Sequence, residues 1–93
     1  MAVEVRIPTV FRKFTGGQGV VELSPGTVGD LIGQLEDRYP EMRGQLITES
    51  GELHRFVNVY VNDEDVRYLD KLETKASEGD IVALLPSVAG GNR

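Results

Sequence analysis

Val3, Val5 and Ile7 alternate with Glu4 and Arg6 at the start of the chain, giving one apolar and one charged face. Period-two alternation of β-branched residues marks a half-buried strand. Phe11-Arg12-Lys13-Phe14 leads into Thr15-Gly16-Gly17, a turn signal, and Gln18 to Leu23 resumes a short strand. Residues 2–23 therefore read as an opening hairpin with a wide loop. Ser24-Pro25-Gly26 ends it. Thr27 suits a helix N-cap, and Asp30 complements the exposed amides and positive dipole of a first turn. Val28, Leu31, Ile32, Leu35 and Tyr39 then fall on one stripe of an amphipathic helix. Pro40 disfavours helical geometry at Tyr39 and should stop it there.

Residues 41–53, punctuated by Gly44 and Gly51, read as a loop with one helical turn. The stretch Arg55 to Val61 is the strongest strand in the chain, rich in β-branched and aromatic residues. Its alternation sends Val57, Val59 and Val61 to the core and Phe56 and Tyr60 to the opposite face. Asn62-Asp63-Glu64-Asp65 turns the chain back into Val66-Arg67-Tyr68, and a weak helical turn is expected around Asp70–Leu72. After Glu78-Gly79-Asp80 comes the last strand, Ile81 to Pro86, with Val82 and Leu84 inward and Ile81, Ala83 and Leu85 outward. Two strands, one helix, then two or three strands fit an α+β fold of the β-grasp type. That fold is a mixed sheet of four to five strands covered by one main helix, with the first and last strands central and parallel. Residues 1–86 are the expected domain, and residues 87–93 a flexible arm.

The charge balance narrows the partners. Ten basic against fifteen acidic residues leave a net charge of −5, which disfavours direct nucleic-acid binding and favours proteins with a basic face. No apolar run is long enough to cross a membrane, and Met1-Ala2-Val3-Glu4-Val5 has no export pattern, so a cytoplasmic monomer is expected. With no cysteine and one histidine, a disulfide framework, a thiol nucleophile, an internal zinc site and a histidine-based triad are all disfavoured. His54 reads as a half-exposed residue at a strand start. Asp63-Glu64-Asp65 reads as a solvated turn that pairs with Arg67 rather than a metal loop. Thr15-Gly16-Gly17 lacks the Gly-Lys-Ser/Thr of a phosphate loop and is a turn. No cofactor is expected on this chain. The outward apolar residues Phe56, Tyr60, Ala83 and Leu85 lack a second layer and are assigned to partner docking, together with Val88 and Ala89 of the arm.

Four stretches resemble a known family. They are Ile7-Pro8-Thr9 with Thr15-Gly16-Gly17; Leu53 to Arg67, which contains Phe56-Val57-Asn58-Val59-Tyr60-Val61-Asn62-Asp63; Gly79-Asp80; and Leu85-Pro86-Ser87-Val88-Ala89-Gly90-Gly91. Together they are similar to the sulfur-carrier branch of the ubiquitin-like superfamily, the CysO, ThiS and MoaD families, and most to the CysO family of actinobacterial cysteine synthesis. The resemblance implies that the chain is a carrier rather than an enzyme. A ubiquitin-activating-like enzyme, using ATP and magnesium, would adenylate the Gly91 carboxylate, and a sulfur donor would displace AMP to leave a thiocarboxylate. Gly90 and Gly91, lacking Cβ, could thread a narrow channel. The carboxylate must be free, so Asn92 and Arg93 are expected to be removed by a JAMM-type zinc peptidase, unless they are a remnant of cloning. The resemblance further implies a pyridoxal-phosphate (PLP)-dependent cysteine synthase as sulfur acceptor. Thiamin, molybdopterin, tRNA-thiolation and thiosugar routes stay open, as does a protein-modifier role.

Overall fold

A computed structural model describes residues 2–86. The predicted arm, with Val88, Ala89, Gly90, Gly91, Asn92 and Arg93, lies outside the described residues. The elements are β1 (Val3–Arg6), β2 (Val20–Leu23), β3 (Gly26–Thr27), α1 (Val28–Arg38), β4 (Val57–Val61), β5 (Glu64–Asp65), β6 (Lys75–Ala76) and β7 (Ile81–Pro86). Five strands form one mixed sheet in the order β2-β1-β7-β4-β5, and β3 pairs with β6 in a second, two-stranded sheet. β1 and β7 run parallel at the centre, with Val5 opposite Val82, and the neighbouring pairs are antiparallel. This is the expected β-grasp order. The central position of β7 puts Val82 and Leu84 against the helix, while Ile81, Ala83 and Leu85 lie on the face that the helix does not cover.

Alternation decides which face is buried. Val3 and Val5 of β1, Val57, Val59 and Val61 of β4, and Val82 and Leu84 of β7 are buried beneath Val28, Leu31, Ile32 and Leu35 of α1. The helix begins on a capping box. Asp30 N donates to Thr27 Oγ1 at 3.0 Å, and Thr27 N donates to Asp30 Oδ2 at 3.0 Å, so two otherwise unpaired amides are satisfied. Gly26 permits this closure, since a Cβ there would sit 2.9 Å from Asp30 Oδ2. The helix ends at Arg38, and Pro40 opens a 3-10 turn through Met42.

Several expectations are corrected by local geometry. Phe11–Phe14 is not merely a lead-in but part of a 3-10 helix over Thr9–Phe14, and β2 starts at Val20 rather than Gln18. The strand after residue 54 begins at Val57, leaving Phe56 just before it. Asn62 and Asp63 both adopt positive φ, 50° and 72°, as a two-residue hairpin turn requires. The returning strand is therefore Glu64–Asp65, and Val66-Arg67-Tyr68 is a 3-10 turn instead of strand. The expected pairing of the acidic turn with Arg67 takes a different form. Asp65 Oδ1 accepts from the backbone N of Arg67 at 2.9 Å, while the Arg67 guanidinium donates to Val57 O at 3.3 Å. The loop at 41–53 also contributes to the core through Met42 and Leu46, both fully buried.

The two ends of the hairpins are tied by Asp80. Its Oδ2 accepts from Ser77 N at 2.7 Å and its Oδ1 from Asn62 Nδ2 at 3.0 Å. These hydrogen bonds, the Ser77 amide first, hold the Asp80 carboxyl below its ordinary range. A depressed folded-state pKa adds stability above the unfolded pKa, and that stability is lost as pH falls through the folded one. Asp80→Asn is therefore expected to flatten the acid limb of a thermal-stability profile below about pH 4, with its largest effect at neutral pH. Melting temperatures of both forms across that range check it.

Candidate functional site

The sheet face turned away from α1 has no second layer among the described residues. Its side chains follow from register. Val20, Arg6, Ala83, Tyr60 and Asp65 lie in one row across β2, β1, β7, β4 and β5, and Leu85 lies opposite Asn58. The structure thus brings Tyr60 and Ala83 together as a cross-strand pair, with Leu85 two residues further along β7, whereas Phe56 lies in the turn just before β4. Phe56 is 55% and Leu85 44% exposed, whereas Tyr60 and Ala83 are half-buried by their neighbours. Three of the predicted docking residues, Tyr60, Ala83 and Leu85, therefore share one sheet face, and Phe56 stands just before β4 in the chain.

The setting of this surface is polar on the β1 side and at the turns. Arg6 Nε donates to Glu4 Oε2 at 2.7 Å, an exposed pair that contributes little to stability. Near the start of β7 stand Asp63 of the β4–β5 turn, Glu64 of β5, and Asp80 just before β7. At the other end, Pro86 pairs with Val57, and Arg55 borders a groove of about 930 Å³. Cationic Arg55, Arg67 and Lys71 alternate on its rim with Glu52, Asp70 and Glu73. Such mixed charge selects no simple anion or cation. His54 is half-buried, its Nε2 2.9 Å from Gly44 O, which ties the preceding loop to the start of β4. No group of three or more His, Asp or Glu able to hold a metal occurs among the described residues, and no described helix is long and apolar enough to cross a membrane.

Sequence reading missed the exposure of Tyr68 and Leu69, which are 86% and 40% exposed. Their signal was present as two large apolar residues in a polar segment, but the assumed strand through Tyr68 obscured it. It also missed Asn58, whose place between Phe56 and Tyr60 puts it on the docking face.

A small β-grasp body, with a mixed five-stranded sheet covered by one main helix, defines a ubiquitin-like fold. The chain belongs to the ThiS family, whose model matches residues 5–91. It is 50% identical to the sulfur carrier protein CysO of Mycobacterium tuberculosis, over 98% of this chain and all of that protein. It is 38% identical to small archaeal modifier protein 3 of Haloferax volcanii, again over 98% of this chain and all of the relative. Among solved structures, a chain from the BexX/CysO complex of Amycolatopsis orientalis superposes with a TM-score of 0.88 at 48% identity, covering 97% of this chain and 100% of that one.

Proposed function

We propose that this chain is a sulfur carrier whose Gly91 carboxylate, once Asn92 and Arg93 are removed, is converted to a thiocarboxylate that supplies sulfur for cysteine biosynthesis. The observation that carries this reading is the 50% identity with CysO along the whole of both chains, joined to a family match that runs through Gly90 and ends at Gly91. The absence of cysteine fits it, because sulfur held by this chain has to sit on another group.

The chemistry needs outside activation. A carboxylate is a poor acyl donor, so a ubiquitin-activating-like partner, using ATP and magnesium, joins it to AMP and releases pyrophosphate. A sulfide equivalent then attacks the acyl carbon, AMP leaves, and one oxygen of the terminus has been replaced by sulfur. The thiocarboxylate is a soft nucleophile suited to an electrophile such as an aminoacrylate held by a PLP-dependent cysteine synthase. A JAMM-type zinc peptidase fits both the removal of Asn92-Arg93 and the release of a finished product. This chain contributes binding and delivery, while its partners supply the positioned charges.

Docking belongs to the Phe56-Tyr60-Ala83-Leu85 face, because Gly91 follows the last residue of β7 by only five positions. Residues 87–91 span at most about 17 Å when extended, so an enzyme that holds Gly91 also meets the sheet beside Leu85. Phe56→Ala should weaken binding to the activating enzyme by about 1–3 kcal/mol without loss of thermal stability, since Phe56 is mostly exposed. Titration calorimetry and melting curves check both halves. An organomercury gel tests the carrier role itself: with no cysteine in the chain, retardation after reaction with activating enzyme, ATP and sulfide reports a terminal thiocarboxylate.

A second reading is favoured by the kinship with an archaeal modifier protein: conjugation through Gly91 to lysines of other proteins. It shares the activation step and differs in its product. Isopeptide-linked species in cell lysate would identify it.

A further inference from the structure

Asn58 is out of place for a docking strand. It stands on the outward face of β4, between Phe56 and Tyr60 and opposite Leu85. Asparagine is disfavoured in strands, and an apolar residue at this point would join the surrounding patch into one surface. The Asn58 residue is half-buried, and its Oδ1 is shielded from solvent with no hydrogen-bond donor among the described residues. Buried acceptors are almost always satisfied, and the exceptions are found where strain or function holds them. An unsatisfied oxygen in the free chain lowers stability for no gain within the fold.

We propose that Asn58 is a specificity-determining residue of the docking face, its carboxamide oxygen accepting a hydrogen bond from an N–H of the enzyme that adenylates the terminus. The proposal rests on the docking reading above. The last torsion of asparagine is broad, and Oδ1 gives up no hydrogen bond when it turns, so the amide can swing outward as the enzyme's surface arrives. Docking then excludes water around Phe56 and Leu85, where a direct hydrogen bond is stronger than in solution. An apolar surface alone fixes area but little orientation. A single acceptor at its centre fixes the register of the enzyme against β7, and so the direction in which the terminus is presented. A partner with an apolar surface but no donor at this point would bury the oxygen unpaired and be rejected.

The test compares wild type, Phe56→Ala, Asn58→Leu and Asn58→Thr, each ending at Gly91, for thermal stability and for affinity to the activating enzyme. Leucine has nearly the shape of asparagine without the unpaired oxygen. Asn58→Leu should melt at the same or a higher temperature yet bind roughly tenfold more weakly, and Asn58→Thr, which keeps an acceptor, should fall between it and wild type. Wild-type affinity for Asn58→Leu alongside weakened Phe56→Ala would overturn the role of Asn58 and leave the docking face standing. Wild-type affinity for both would sink the docking face itself. A lower melting temperature for Asn58→Leu would show that the amide serves the fold, contrary to the proposal.

Discussion

Replacing Gly90 with valine is expected to slow thiocarboxylate formation on a chain ending at Gly91 by a factor on the order of 100 or more, with no change in melting temperature. Gly90 lies four residues beyond Pro86, the last residue of β7, so a side chain introduced there falls outside the strands of the sheet. On the proposed function, adenylation brings the terminal carboxylate to the α-phosphate of ATP inside a partner's active site. A branched Cβ removes positive φ values from the accessible range and adds width where the chain has to pass. Displacement of a reacting atom by an ångström is enough for a loss of this size. Initial rates followed by organomercury gel, together with melting curves, check it. An unchanged rate would mean that the partner does not enclose the glycine pair.

Leu35→Ala should have the largest effect on the body, lowering stability by about 2–5 kcal/mol. Leu35 is 1% exposed and sits on the α1 stripe facing the central strands. The void among Val5, Val28, Leu31, Ile32, Leu35, Val82 and Leu84 is only about 10 Å³, so the removed atoms leave a new cavity rather than enlarge an existing one. Sheet and helix are both fixed by their own hydrogen bonds and collapse only partly onto it. A domain of this size has about 5–15 kcal/mol in total, and the variant should show a matching fall in its denaturation midpoint in urea. A loss below about 1 kcal/mol would place Leu35 outside the tight core.

The body was largely legible because its signals are periodic. The alternation of Val57, Val59 and Val61 against Phe56 and Tyr60 specified which face meets the helix, and the Thr27-Asp30 pair marked the start of α1. What escaped reading is held by tertiary context. β3 and β6 are two residues each, too short for any periodic signal, and they exist because Gly26 and Thr27 meet Lys75 and Ala76 across the fold. Met42 and Leu46 lie in irregular backbone, where no period announces burial. The turn at Asn62–Asp65 was legible, but its confinement to Asn62-Asp63 follows from the positive φ of both residues and the pairing of Val61 with Glu64. At the candidate site, the shared outward face of Tyr60, Ala83 and Leu85 followed from strand parity alone, whereas Phe56 stands in the turn before β4, where parity no longer applies. Asn58 shared that parity, yet its unpaired oxygen emerges only once Leu85 and the flanking aromatic residues are placed in space. The terminal Gly90-Gly91 pair drew its meaning from its context in sequence, and its chemistry lies in enzymes that this chain must meet.

Intact mass spectrometry of the chain ending at Gly91, after incubation with its activating enzyme, ATP, magnesium and sulfide, addresses the carrier role most directly. The expected product is heavier than the starting protein by the difference between one sulfur and one oxygen, and the increment is confined to the C-terminal peptide. A chain left at its original mass by an enzyme that consumes ATP in its presence would contradict the account.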